Sequence, residues 1–86
     1  MADTATLDDI IGTVSDLVAA EFGVPRAELT PDLDLSTVEG ADSVKVLRVV
    51  AKIERAYDIE LEDDEVFGFT TIGDVAASVQ KAVADR

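Results

Sequence analysis

The chain contains no cysteine, no histidine and no tryptophan among its 86 residues. Without cysteine it has no disulfide, no thiolate metal ligand and no cysteine nucleophile. Without histidine it lacks the commonest general base, and a serine–histidine–aspartate triad is impossible. The sequence therefore offers no catalytic apparatus and no metal site of these kinds, and we expect a protein that is not an enzyme.

Basic residues are also scarce: seven Lys and Arg stand against 19 Asp and Glu, a formal net charge of −12. Nucleic acid is not expected as a partner, because phosphate binding needs a basic footprint. Such a charge favours a soluble monomer. No basic segment followed by an apolar run opens the chain, and no apolar stretch approaches the ~18 residues that span a membrane. We expect no signal peptide, no membrane contact and a cytoplasmic location.

Helical periodicity dominates the pattern of apolar residues, and the length suits one domain over residues 1–86. The first helix begins with a capping box at Thr6 and Asp9, and Gly23 ends it. A second runs from Asp42 or Ser43 to Tyr57, a short helical turn covers 62–67, and a last helix opens at Thr71. The predicted fold is all-α, a small antiparallel four-helix bundle of three main helices and a short one.

The connection between the first two helices, residues 23–42, is unusually long. Its two prolines and Gly40 argue against regular structure, yet it carries four apolar side chains. Loops of this length are usually functional or packed onto the domain. We expect the apolar residues to hold the loop against the helices: Leu29, Leu33, Leu35 and Val38.

The second helix separates into three sectors when each residue is advanced by about 100°. One sector is broad and apolar and suits the core: Val46, Val49, Val50, Ile53 and Tyr57. The next sector is basic and holds four of the seven cations of the chain: Lys45, Arg48, Lys52 and Arg55. The third sector is a second, short apolar stripe: Val44, Leu47 and Ala51.

The second apolar stripe and the basic sector each admit two interpretations. The stripe is a contact surface for partners, or the folded 23–42 loop covers it. The cations dock a partner of complementary charge, or they form salt bridges with the acidic loops, where exposed pairs contribute little. The role of Ser43 is likewise not determined by these patterns. Considered without any family resemblance, a serine at a helix start is most simply an ordinary N-cap.

The segment from Gly40 to Val44, Gly-Ala-Asp-Ser-Val, resembles the acyl carrier protein family, in which an Asp-Ser-Leu triplet opens the second helix. The resemblance extends through the long first loop, KIERAYDIELEDDEV and the closing FTTIGDVAASV. It implies that Ser43, beside Asp42, receives 4′-phosphopantetheine from coenzyme A through a dedicated transferase. The arm holds acyl groups as thioesters and shuttles them between acyl-transferring, condensing or modifying enzymes.

The resemblance also implies two further sets of site residues. The partner enzymes are expected to contact the start of the second helix: Val44, Lys45, Leu47, Arg48 and Ala51. The acyl group is expected to be sheltered among apolar core residues: Val46, Ile53, Tyr57, Phe69 and Ile72.

Two departures from the family pattern matter. Val44 replaces the usual Leu, and Lys45 and Arg48 stand where fatty-acid members are usually acidic. We infer a specialised partner set, in polyketide or other secondary metabolism. An aminoacyl or peptidyl carrier is an alternative, although such proteins usually have Gly-Gly before His-Ser or Asp-Ser. An unmodified acidic helical interaction module is the alternative from another class.

Overall fold

The computed structural model describes residues 6–38 and 42–85, and four α-helices account for most of them. They are α1, Leu7–Phe22; α2, Ser43–Tyr57; α3, Asp63–Gly68; and α4, Ile72–Asp85. Within these two ranges there is no β-strand, only an isolated bridge between Asp34 and Thr71. This confirms the predicted all-α bundle of three main helices and one short one. None of the helices in the described ranges is long and apolar enough to cross a membrane.

Both ends of α1 follow the signals in the sequence. The Thr6 hydroxyl accepts a hydrogen bond from the Asp9 N–H at 3.1 Å, as an N-cap does. Gly23 adopts the left-handed conformation, with φ of 71°, and its N–H donates to the Ala19 carbonyl at 2.9 Å. Glycine suits this position because it has no Cβ to clash.

The connection between α1 and α2 contains two single 3₁₀ turns, Arg26–Glu28 and Leu35–Thr37, where the sequence predicted no regular structure. Local side-chain bonding explains the second turn. The Ser36 hydroxyl and N–H donate to Asp34 Oδ1 at 2.7 and 2.9 Å, and the hydroxyl bond above all lowers the pKa of Asp34 below its ordinary value. Leu29 is buried, and the other three apolar residues of the loop pack half-buried against the core, as predicted.

Backbone hydrogen bonds also tie this connection to the start of α4. The Leu35 N–H donates to the Thr70 carbonyl at 2.8 Å, and the Gly73 N–H donates to Pro31 at 2.9 Å. A Cβ on Gly73 would lie 3.2 Å from that Pro31 oxygen, so a side chain there would push the two segments apart. The middle of the loop that leads into α2 is therefore held by hydrogen bonds to the start of α4.

The helix α4 begins with the capping box that the sequence predicted at Thr71 and Asp74. The Thr71 hydroxyl accepts from the Asp74 N–H at 3.1 Å. In return the Asp74 carboxylate accepts from the N–H groups of Thr70 and Thr71 at 3.0 and 3.1 Å. The reciprocal bonds hold the backbone that directly follows Phe69.

One hydrophobic core joins the helices, with α1 packed against both α2 and α4. Its side chains are mostly valine and isoleucine. The helices meet through the apolar stripes that the sequence shows at 3–4 residue spacing. The most completely buried core residues are Ile10, Val14, Val18, Ile53, Ile72, Ala76 and Val79.

Candidate functional site

Ser43 is the first residue of α2, and its side chain is exposed. The cap of this helix is Asp42, which has an extended backbone and accepts the Lys45 N–H on Oδ1 at 2.8 Å. The ordinary N-cap interpretation of Ser43 is therefore wrong, whereas its role as an attachment site stays a prediction. The capping role belongs to Asp42, and the Ser43 hydroxyl is left available for other chemistry. Gly40 and Ala41 of the segment that precedes it lie outside the described residues.

An apolar cavity of about 300 Å³ opens beside Ser43. Its polar lining residues are Ser36, Asp42 and Ser43. Its apolar walls come from α1, the connecting loop, α2, Phe69 and α4, and consist of Val18, Phe22, Leu35, Val46, Val49, Val50, Phe69 and Val75. A volume near 300 Å³ lies at the lower end of the range for small-molecule sites.

The five residues predicted to shelter an acyl group occupy different places. Val46 and Phe69 line this cavity. Ile53 and Ile72 have no exposed surface and belong to the core, and Tyr57 is half-buried away from the lining. The contributions of α1 were not predicted, because the 3–4 spacing of Val18 and Phe22 indicates a buried face without distinguishing a cavity wall from solid core. The predicted role of the five stays a prediction.

The second apolar stripe of α2 is open to solvent. Val44 is 58% exposed and Leu47 is 52% exposed, and Ala51 is exposed as well. The described part of the loop packs over the core instead of over these side chains. A further apolar side chain, Phe67 on α3, is 79% exposed, and it was not among the predicted contact residues. Exposed apolar groups in a small monomer often mark a contact surface.

The basic sector of α2 pairs with one carboxylate of α1, and none of the described acids of the connecting loop takes part. Lys52 Nζ lies 2.6 Å from Glu21 Oε2, and Arg48 Nη1 lies 3.7 Å from Glu21 Oε1. The hydrogen bond from Lys52 is the main reason that the pKa of Glu21 falls below its ordinary value. The side chain of Glu21 is only 13% exposed, whereas those of Arg48 and Lys52 are 64% and 50% exposed.

The lowered pKa of Glu21 implies that the stability of the protein depends on pH. A carboxyl group whose pKa is lower in the folded state contributes stability above its unfolded pKa, here near 4.5, and loses it as the pH falls through the folded value. We therefore expect Glu21→Gln to lower the urea midpoint at pH 7, and the difference from the unaltered protein to shrink below pH 4.5 and to vanish below the lowered pKa of the folded state. Glu28→Gln is the control, since Glu28 makes no ion pair within the described residues. A Glu21→Gln deficit that persists at low pH would contradict the assignment.

Acidic side chains gather around a second groove, which lies between α4 and the segment formed by the α2–α3 connection and the start of α3. The groove is lined by Asp58, Ile59, Glu60, Glu62, Glu65, Ser78, Lys81, Ala82 and Asp85. Within residues 6–38 and 42–85, no group of three or more Asp, Glu, Cys or His side chains is placed to hold a metal ion. The acids that line the groove are all exposed, as on a solvated acidic surface.

Comparison with known proteins identifies the family. Residues 12–79 match a family model described as the phosphopantetheine attachment site. The chain is also 31% identical over 78 residues to an acyl carrier protein of Exiguobacterium sibiricum, covering 91% of this chain and 99% of that one. The chain belongs to the acyl carrier protein family. It is a carrier protein with a phosphopantetheine attachment domain, and its cofactor is 4′-phosphopantetheine.

Two other relatives place the chain within a broad range of acyl carrier proteins. An acyl carrier protein of Amoebophilus asiaticus is 28% identical, with 93% of this chain and all of that one covered. The meromycolate extension acyl carrier protein of Mycolicibacterium smegmatis is 27% identical, with 90% and 78% covered. Among solved structures, the HMG-ACPI domain of the CurA module of Lyngbya majuscula superposes with a TM-score of 0.81. That similarity covers 95% of this chain and 83% of the domain at 14% identity, and it concerns the fold alone.

The residues around Ser43 fit the cofactor of the acyl carrier protein family. Two conditions are met: an unencumbered hydroxyl, and a site that tolerates a phosphodiester. The first N–H groups of α2 have no intrahelical acceptor, and Asp42 uses only the one from Lys45. A phosphodiester at this helix start is also favoured by the helix dipole. The first turn of α2 itself contains no acidic residue, and the carboxylate next to Ser43 is that of the cap, Asp42.

Proposed function

We propose that this chain is a discrete acyl carrier protein whose phosphopantetheine arm is attached to Ser43. One observation supports the assignment above all: an exposed serine, not needed for the cap, stands at the head of α2 beside an apolar cavity. The arm supplies the thiol that a cysteine-free chain lacks, and that thiol carries the acyl group as a thioester. The chain itself contributes the tether, the shelter and the contact surface, and it is not a catalyst.

The cavity is the candidate shelter for the acyl group. Eight of its eleven lining residues are apolar, and Ser43 is one of the three polar ones. An aliphatic chain that enters from the arm would bury its surface at roughly 25 cal/mol per Å². Of the five residues predicted for this role, Val46 and Phe69 would contact the acyl group directly, since they line the cavity, while Ile53, Tyr57 and Ile72 would support the walls.

The partners proposed are a phosphopantetheinyl transferase and acyl-transferring, condensing or modifying enzymes. They would contact the outward side of α2 at Val44, Lys45, Leu47, Arg48 and Ala51. We propose polyketide or other secondary metabolism, because Lys45 and Arg48 give this surface a sign unlike that of fatty-acid members. The high net charge supports a monomer, and we propose a cytoplasmic location.

Intact-mass spectrometry tests the proposal. The full chain is incubated with coenzyme A and a promiscuous phosphopantetheinyl transferase, with omission of the transferase as the control. We expect a mass increase of one phosphopantetheinyl group, complete and dependent on the enzyme. An unchanged mass with a transferase that modifies a reference carrier in parallel would reject the carrier function and favour an unmodified acidic interaction module.

A further inference from the structure

The outward side of α2, here called the α2 face, combines apolar and basic side chains in one surface. Its apolar part is the exposed stripe of Val44, Leu47 and Ala51. Along one edge of that stripe lie Lys45, Arg48, Lys52 and Arg55, and Ser43 begins the helix at the stripe's other edge. A partner seated on the α2 face would thus come close to the attachment serine.

The charge of the α2 face is opposite to that of the rest of the molecule. Four of the seven basic residues lie there, in a chain whose net charge is −12. Lys45 and Arg55 form no ion pair with any residue of 6–38 or 42–85. Arg48 and Lys52 share the single carboxylate of Glu21 and remain half or more exposed above it. The four cations thus outnumber the acids around them, which are Glu21, the capping residue Asp42 and Glu54 on the same helix.

The complementary partner surface is apolar and edged with carboxylates. Opposite potentials across an interface steer association and select partners. A basic protein would be held off by the four cations at this face and drawn to the acids elsewhere. An anionic lipid surface fits less well, because the net charge of the whole molecule repels it.

Glu21 occupies the position of an internal competitor. It holds Lys52 at 2.6 Å and Arg48 at 3.7 Å from beneath, so an approaching carboxylate must share these cations with it. We propose that the α2 face docks a protein whose apolar contact patch is edged with carboxylates, and that Glu21 weakens this docking by competing for Arg48 and Lys52. This inference rests on the proposed function, since it specifies the partner of that same site.

Two synthetic peptides test the inference. They are amphipathic helices with the same leucine face, edged with glutamate in one and with lysine in the other. Each is titrated into the full-length ¹⁵N-labelled protein at low and physiological ionic strength, and amide shifts are mapped. We expect the glutamate peptide to shift the amides of residues 43–55 and to bind more weakly as salt is added, because exposed charges are screened. We expect the lysine peptide to leave those amides unchanged.

Charge variants test which side chains are responsible. Arg55→Glu is expected to lower the affinity for the glutamate peptide roughly two- to fivefold, which corresponds to the contribution of one exposed ion pair. Lys81→Glu makes the same type of charge reversal on α4, away from the α2 face, and is expected to leave affinity unchanged. Glu21→Gln is expected to strengthen binding roughly two- to fivefold. A residue with a merely structural role would not produce this gain, particularly since the same substitution is expected to lower stability.

Several results would overturn the inference. They are α2 shifts caused by the lysine peptide, equal effects of Arg55→Glu and Lys81→Glu, or binding that Glu21→Gln weakens or leaves unchanged. Vesicles of phosphatidylglycerol and phosphatidylcholine that shift residues 43–55 when the glutamate peptide does not would assign the face to a membrane. Intact mass is measured for every variant after transferase treatment. Loaded protein without docking rejects this inference alone, whereas docking without loading rejects the proposed function alone.

Discussion

Ser43→Ala is expected to abolish phosphopantetheine loading while leaving the stability of the fold unchanged. The hydroxyl is the proposed attachment point, so its removal eliminates the only atom that can form the phosphodiester at this position. The fold does not depend on it, because Asp42 caps α2 and the Ser43 side chain is exposed. Intact mass after transferase treatment should show no increase. The free energy of unfolding should change by less than about 0.5 kcal/mol, as surface substitutions usually do.

Two companion variants separate chemistry from structure. Ser36→Ala removes another hydroxyl that lines the same cavity, and it should still load fully. Asp42→Ala removes the cap and should cost about 1 kcal/mol of stability, while Asp42→Asn should retain most of it. If Ser43→Ala destabilises the protein as much as Asp42→Ala does, the division of roles between the two residues is wrong. If Ser43→Ala still loads, the attachment site is elsewhere.

Ile53→Ala is expected to cause the largest loss of stability among single substitutions on α2. Ile53 has no exposed surface and lies in the core between the helices. Truncating a buried isoleucine to alanine removes its transfer free energy and leaves a cavity, at a cost of about 2–5 kcal/mol. A domain of this size has little stability to spare. Urea denaturation followed by circular dichroism should show a much lower midpoint or an unfolded chain.

Leu47→Ala is the matched control on the same helix. Leu47 is 52% exposed, so its truncation should change the free energy of unfolding by no more than about 0.5 kcal/mol. The two variants together test whether α2 presents one face to the core and another to solvent. Equal losses from both would mean that the apolar stripe is covered, and it could then not serve as a contact surface.

The fold was predictable from the sequence because its local signals agree with one another. Thr6 and Asp9, then Gly23, mark the ends of α1 by capping chemistry that acts within a few residues. Thr71 and Asp74 do the same for α4. Each main helix has an apolar stripe that must be buried, and packing the helices together in a bundle buries all of these stripes.

The candidate site was predictable only where its features are local. Ser43 could be identified from its neighbours, but its freedom from the capping role could not, because Asp42 and Ser43 are both good N-caps. The cavity lies between segments that are distant in the chain: Phe22 comes before α2 in the sequence, and Phe69 comes after it. Tertiary packing decides which apolar residues leave a void, and periodicity carries no information about that.

The basic sector illustrates the same limit. The sequence indicated that salt bridges with acidic loops could neutralise it. In the structure, Arg48 and Lys52 instead pair with Glu21 on the neighbouring helix. The packing of α1 against α2 brings the three side chains together across about 30 positions of the chain. No local signal marks Glu21 as the acid that is selected.

Localisation of the phosphopantetheine group by tandem mass spectrometry tests the central claim most directly. Trypsin should release residues 27–45 as one peptide, because no Lys or Arg lies between Arg26 and Lys45. That peptide contains other hydroxyl groups as internal controls, on Thr30, Ser36 and Thr37. We expect the fragment ions to place the added group on Ser43 alone. Its presence on any of the other three, or its absence from this peptide in fully treated protein, would contradict the account.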